Sequence, residues 1–145
     1  MKHTLAISES FVSMVELSRR TTVKVRTFLT GAHCWWPDGN GGHLRPDALV
    51  LVEDEHYEAT TWLEIDQGSE DMGRIRGKLE AYERFSQTGS EAPNGVLPNV
   101  LFATRNSEHA AMISREIASQ RGLRMVYETT PQHELAAYLF QGLQT

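Results

Sequence analysis

Cysteine is almost absent from this chain of 145 residues, where Cys34 stands alone. A single thiol excludes an internal disulfide framework and a thiolate-rich zinc site, and it suits a reducing cytoplasm, the expected location. No run of about 18 apolar residues occurs, and Met1-Lys2-His3-Thr4-Leu5 lacks the long apolar stretch of a secretion signal, so neither a membrane span nor an export route is predicted. Phosphate-loop, dinucleotide and nucleophile-elbow patterns are missing, as are internal repeats and low-complexity tracts. His3, His33, His43, His56, His109 and His133 are scattered without ligand spacing, which argues against a transition-metal site. An excess of cations is missing too: the net charge is −5, the wrong sign for a nonspecific coat on nucleic acid.

What is present suffices for one domain over residues 1–145. Hydrophobic residues make up 40% and charged residues 23%, enough for a core that needs no disulfide or structural metal. The charge is unevenly spread. Residues 1–46 hold six Lys/Arg against three Asp/Glu, residues 47–91 hold four against twelve, and residues 92–145 hold four of each. Chemistry is therefore sought in the acidic middle.

Periodicity sets the element order. Phe11, Val12, Val15 and Leu17 recur near helical spacing from Ser8 up to Arg19-Arg20, a helix with cations at its C-terminal end. Val23, Val25 and Phe28 alternate with Lys24 and Arg26 across residues 21–29, as in a strand. Residues 37–42 are dense in turn formers and read as a loop. The apolar run 48–52 and the alternating stretch 57–66 read as a β-hairpin, with Thr60, Trp62, Glu64 and Asp66 on one face and Thr61, Leu63 and Ile65 on the other. From Glu70 a helix carries Met72, Ile75, Leu79 and Tyr82 as one stripe, with Arg74 and Lys78 off it. A strand over 96–103, a helix over 107–120, a strand over 123–127 and a helix from Pro131 to about 143 complete the order αβββαβαβα. This is an α/β class, a mixed sheet flanked by helices.

The informative residues are Asp47, opening one strand of the hairpin, and Glu64 and Asp66, closing the next. Residues two apart on a strand share a face, and an antiparallel neighbour can bring Asp47 beside them. Like charges so close raise one another's pKa unless a cation compensates, which makes Mg²⁺ or Mn²⁺ the expected cofactor, able to activate water and to stabilise a phosphoryl group in flight. The bland reading stands beside it: an acid after proline starts turns, and acids near strand ends are often solvated.

Leu44-Arg45-Pro46-Asp47-Ala48, then Trp62-Leu63-Glu64-Ile65-Asp66-Gln67-Gly68-Ser69-Glu70, then Lys78-Leu79-Glu80-Ala81-Tyr82 resemble the pattern of the replication-relaxation family of plasmid and mobile-element proteins. The resemblance is strong over residues 44–85 and loose elsewhere. It implies a restriction-endonuclease-like core of the PD-(D/E)XK superfamily, a metal-dependent DNA nuclease or nickase in which Asp47 and Glu64 bind metal. Where E-x-K would place lysine this chain has Asp66, so either Lys78 supplies the displaced ammonium or the site holds metal without cutting. Lys78 is equally explained as a solvated cation on an amphipathic helix. The resemblance also implies DNA as a partner, together with a separate DNA-binding domain or protein, or a second copy of the chain.

Further candidates are weaker. Arg19, Arg20, Lys24 and Arg26 form a candidate DNA-binding patch. Glu16 or Glu9 offers an extra acid from the first helix. Gln67, Gly68 and Ser69 lead into a helix N-terminus, where caps and phosphate sites look alike. Cys34 has no activating neighbour, and Trp35-Trp36 reads as a core or lid element in preference to a base-stacking platform. Two rival functions stay open: a catalytically inactive nuclease-fold module for DNA binding or protein assembly, and a purely structural interaction domain with solvated acids.

Overall fold

Residues 2–68, 71–141 and 143 are described by a computed structural model. Helix α1 (Lys2–Ser18) leads into strand β1 (Lys24–Thr30), and a 3₁₀ turn at Gly31–Cys34 precedes the short strands β2 (Trp36–Pro37) and β3 (His43–Leu44). Strands β4 (Ala48–Glu53) and β5 (Glu58–Asp66) follow, then α2 (Met72–Gln87), β6 (Asn99–Thr104), α3 (Ser107–Ser119), β7 (Tyr127–Pro131) and α4 (Leu135–Gln141). Five strands form one sheet in the order β1-β4-β5-β6-β7. The β1/β4 and β4/β5 pairs are antiparallel, and β5/β6 and β6/β7 are parallel. The result is a mixed α/β fold whose five-stranded sheet is flanked by helices.

Both sheet faces are covered, which is why β4 is an unbroken apolar run where a one-faced strand would alternate. Val50, Leu63, Ile65 and Leu101 pack against Met14 of α1 and Leu135 and Leu139 of α4. On the other face Leu49, Trp62 and Phe102 pack against Ile75, Leu79, Tyr82 and Phe85 of α2 and Ile113 of α3. Trp62 is the anchor of that side, its ring centroid 5.5 Å from both Tyr82 and Phe85. Among the described residues, no helix is long and apolar enough to cross a membrane.

Several expected boundaries shift, each for a local reason. The turn-forming stretch 37–42 is bracketed by β2 and β3. Asp38 Oδ1 accepts the amides of Asn40 (2.7 Å) and Gly42 (3.1 Å), and Gly39 and Gly41 adopt φ of +86° and +88°, values that favour glycine. In β1 the register slips between Val25 and Thr27, a bulge that leaves Arg26 to pair with Glu53 at 3.0 Å. The strand predicted over 96–103 starts only at Asn99, because Pro93–Gly95 forms a 3₁₀ turn. The strand predicted over 123–127 lies instead at Tyr127–Pro131, and Pro131 closes that strand in extended conformation where a helix start was expected.

Glu83 of α2 accounts for the late start of β7. Its carboxylate accepts the backbone amides of Arg124 (2.7 Å) and Met125 (3.0 Å) and the Tyr127 hydroxyl (2.8 Å). Those amides are thereby withdrawn from any ladder, and Met125 is buried against the α2/α3 side. Glu83→Ala should lower stability by about 2 kcal/mol in urea unfolding, the scale of hydrogen bonds to a charged acceptor. A loss below about 0.5 kcal/mol, ordinary for surface changes, would show that this loop is held by its apolar contacts alone.

Candidate functional site

Glu64 shares the face of Trp62 and so points under α2 at the C-terminal end of β5. Lys78 and Tyr82, one helical turn apart, both reach it: Lys78 Nζ lies 3.0 Å from Oε2, and the Tyr82 hydroxyl donates to Oε1 at 2.8 Å. Burial pushes the Glu64 pKa up to about 7, and Asp47 adds to the rise, while Lys78 and the Tyr82 hydrogen bond oppose it. Tyr82, buried beside the same carboxylate, is pushed well above its ordinary range. The half-exposed solvated cation that an amphipathic helix would allow at Lys78 is not what the structure holds.

Asp47 sits one step beyond the Ala48–Leu63 pair of the β4/β5 ladder. Its amide donates to the Leu63 carbonyl at 2.9 Å, and its Oδ2 accepts the Ile65 amide at 2.7 Å. Asp66 takes a different partner. Its Oδ1 accepts the Gly68 amide at 2.8 Å, and its Oδ2 lies 2.7 Å from His109 Nε2 of α3. The imidazole N–H direction misses that oxygen, so both atoms are buried without an aligned hydrogen-bond partner among the described residues.

The expected trio is therefore split. Glu64 and Asp66 share a face, as period-two alternation requires, but two strand steps separate them by roughly 7 Å, and each is met by a side chain from a different helix. Among the described residues no group of three or more Asp, Glu, His or Cys side chains is arranged to hold a metal ion. Asp47 and Glu64 remain a pair close enough to influence one another's charge.

Above Glu64 lies a cavity of about 440 Å³, with Lys78 and Tyr82 in its wall and Arg45, Arg74, Arg84 and His43 around it. Gly77 also lines it, and a Cβ at that position would meet nothing within 4 Å beyond the backbone of its own helix and its chain neighbours. Glycine inside a helix costs about 1 kcal/mol relative to alanine, and here the space it spares belongs to the cavity. A second cavity of about 570 Å³, mostly apolar, lies between α1 and β1, where Asp47 is its charged member beside Phe11, Val12 and Phe28. The larger cavity has little polar chemistry; the smaller one has the titrating carboxylate and the cations.

The sequence passes over Arg45, Arg74 and Arg84 as a group. The four-residue spacing of Arg74 and Lys78, placing both on one stripe of α2, is the signal that could have found part of it. Arg19, Arg20, Lys24 and Arg26 are exposed but stand elsewhere. Lys24 pairs in register with Glu53, which faces Glu58 at the opposite end of β5, roughly 20 Å of strand from Glu64. Their nearness in sequence to Asp47 does not survive the antiparallel fold-back of β1 on β4. Glu16 is exposed, and Glu9 lines a separate cavity with Arg105 and Gln132. Asp71, not Gly68, caps α2 by accepting the Arg74 amide at 2.9 Å, and Ser69 and Glu70 lie outside the described residues. Cys34 is buried with its Sγ 3.1 Å from both the Gly31 and Pro46 carbonyls, and burial pushes the thiol up to about 11, which leaves it unreactive at neutral pH.

The family model described as replication-relaxation matches residues 1–100, which include Asp47, Glu64, Asp66 and Lys78. No curated protein and no solved structure matches the chain.

The raised Glu64 pKa has a signed consequence. Between about pH 4.5 and 7 the folded chain binds a proton there that the unfolded chain releases. The stability this group contributes is full below about pH 4.5 and is lost as pH rises through 7, by roughly 3 kcal/mol in all. Urea unfolding of wild type and Glu64→Gln from pH 4.5 to 8 should show the wild type losing ground to the variant by that amount. A pH-independent difference would assign Glu64 an ordinary carboxyl.

Proposed function

The chain belongs to the replication-relaxation family, and on that premise we propose that it acts on the phosphodiester backbone of DNA in plasmid or mobile-element replication or transfer, as a metal-dependent nuclease or nickase with a PD-(D/E)XK-type site in a restriction-endonuclease-like core. The observation that carries this reading is the Glu64–Lys78 ion pair at a cavity edged by Arg45, Arg74 and Arg84. Guanidinium groups match phosphate oxygens in a two-pronged geometry. Glu64 repels the same oxygens, so the arginines hold the backbone while Lys78 offsets the carboxylate beneath.

The charges of Asp47 and Glu64 act on one another, and a divalent cation between them would offset that repulsion. The pair fits the mode in which Mg²⁺ uses one or two carboxylates and completes its shell with phosphate and water. Asp47 and Glu64 would hold Mg²⁺ or Mn²⁺, which when bound supplies an activated water and neutralises charge on the phosphoryl group. Lys78, fixed beside Glu64, orients the attacking water. Tyr82 fixes the Glu64 rotamer. Asp66 serves the turn after β5 and stands outside this set.

A second reading, a catalytically inactive module for DNA binding or protein assembly, is favoured by one observation. Both Glu64 oxygens already have protein partners, and Asp66 stands where the superfamily pattern has lysine.

Supercoiled-plasmid nicking and Mn²⁺ titration calorimetry separate the two. Asp47→Asn, Glu64→Gln and Lys78→Met should each reduce nicking by about a hundredfold or more, the range of general acid–base contributions. The first two should also lose Mn²⁺ affinity, and Lys78→Met should keep it. DNA binding by a wild type that neither binds Mn²⁺ nor nicks would establish the inactive module instead.

A further inference from the structure

We infer that the arginine-edged cavity takes an unpaired nucleotide, with its base stacked on the Trp35–Arg45 pair, so that single-stranded or locally opened DNA is preferred over intact duplex. This rests on the reading of the cavity as a DNA-backbone site and specifies the strand form that reading leaves open.

Of the pair expected as a core or lid element, Trp36 packs against the core while 39% of Trp35 is exposed. Its exposure is not looseness, because both neighbours are anchored. Cys34 is buried beneath the Gly31 and Pro46 carbonyls, and Trp36 Nε1 donates to the Glu91 carbonyl at 2.7 Å. An indole between two anchored neighbours, with part of its surface in water, is an aromatic platform whose ordering cost is reduced. The Arg45 guanidinium carbon lies 4.5 Å from the Trp35 ring centroid. Arg45 also lines the cavity that holds Glu64 and Lys78. One residue is thus shared between the aromatic platform and the phosphate-binding cations.

Indole and guanidinium planes both stack on nucleobases. Inside a duplex the base faces are covered by their neighbours, so only an unpaired nucleotide can offer one. The charge distribution points the same way. With a net charge of −5, the chain draws little affinity from phosphate attraction beyond the few arginines at the cavity, and stacking carries a correspondingly larger share. The open space at Gly77 widens the cavity on the α2 side.

Fluorescence anisotropy on a labelled single strand, the same strand as duplex, and the same length built of abasic nucleotides tests this with the full chain. Wild type should bind the natural strand more tightly than the duplex or the abasic strand. Trp35→Ala should lose about tenfold on the natural strand, the scale of one base–aromatic stack, with no more than about a twofold change on the other two. Trp35→Phe should retain most of the binding, and circular dichroism should show each variant folded. Unchanged single-strand affinity in Trp35→Ala, or equal losses on all three ligands, would overturn the inference. Arg74→Ala with Arg84→Ala separates the two levels. If this pair weakens every DNA form while Trp35→Ala weakens none, the backbone reading holds and only the strand preference fails. If wild type binds no DNA, both fail.

Discussion

Glu64 is a carboxylate removed from water at the end of a central strand, and the helix above it is arranged around that fact. An isolated buried charge would be severely destabilising, so the chain supplies an ammonium and a phenol from successive turns of α2. Such a pair adds little net stability, since desolvation consumes most of the attraction. The Trp62, Tyr82 and Phe85 cluster holds α2 on the sheet, and the ion pair determines what α2 presents to the cavity. Tyr82 belongs to both systems, with its ring against Trp62 and its hydroxyl on Glu64.

The antiparallel and parallel halves of the sheet divide the work. Asp47 and Glu64 stand at the same end of the β4/β5 pair, near enough for their charges to interact, whereas β6 and β7 extend the sheet and carry none of the proposed site. They are not dispensable. Leu101 and Ala103 complete one core, and Phe102, together with Ile113 of α3, completes the other. The family match ends at residue 100, yet the matched portion cannot bury its own sheet faces without the strands and helices that follow.

What could be read from residue order was whatever local periodicity controls. Alternation over Trp62, Glu64 and Asp66 assigned their common face, and the Ile75, Leu79 and Tyr82 stripe identified the buried side of α2. Long-range partners were invisible to it. Nothing near Leu123–Met125 says that a glutamate some forty residues earlier will capture two of its amides. Nothing near Asp66 says that His109 will meet it before Asp47 can. Arg45, Arg74 and Arg84 come from two separate segments and converge only when β3 and α2 lie side by side. Arg19 to Arg26 erred in the opposite sense, close along the chain but carried away by an antiparallel turn.

The slipped register at Arg26 has a consequence beyond its own ion pair. β1 is a border strand, and its outward row of amides and carbonyls invites a foreign strand to continue the sheet. The extra residue kinks that row, and Lys24 and Arg26 place two cations along it. A second molecule trying to zip on would meet a bent and charged hem, which disfavours fibril-like growth independently of anything that happens around Glu64.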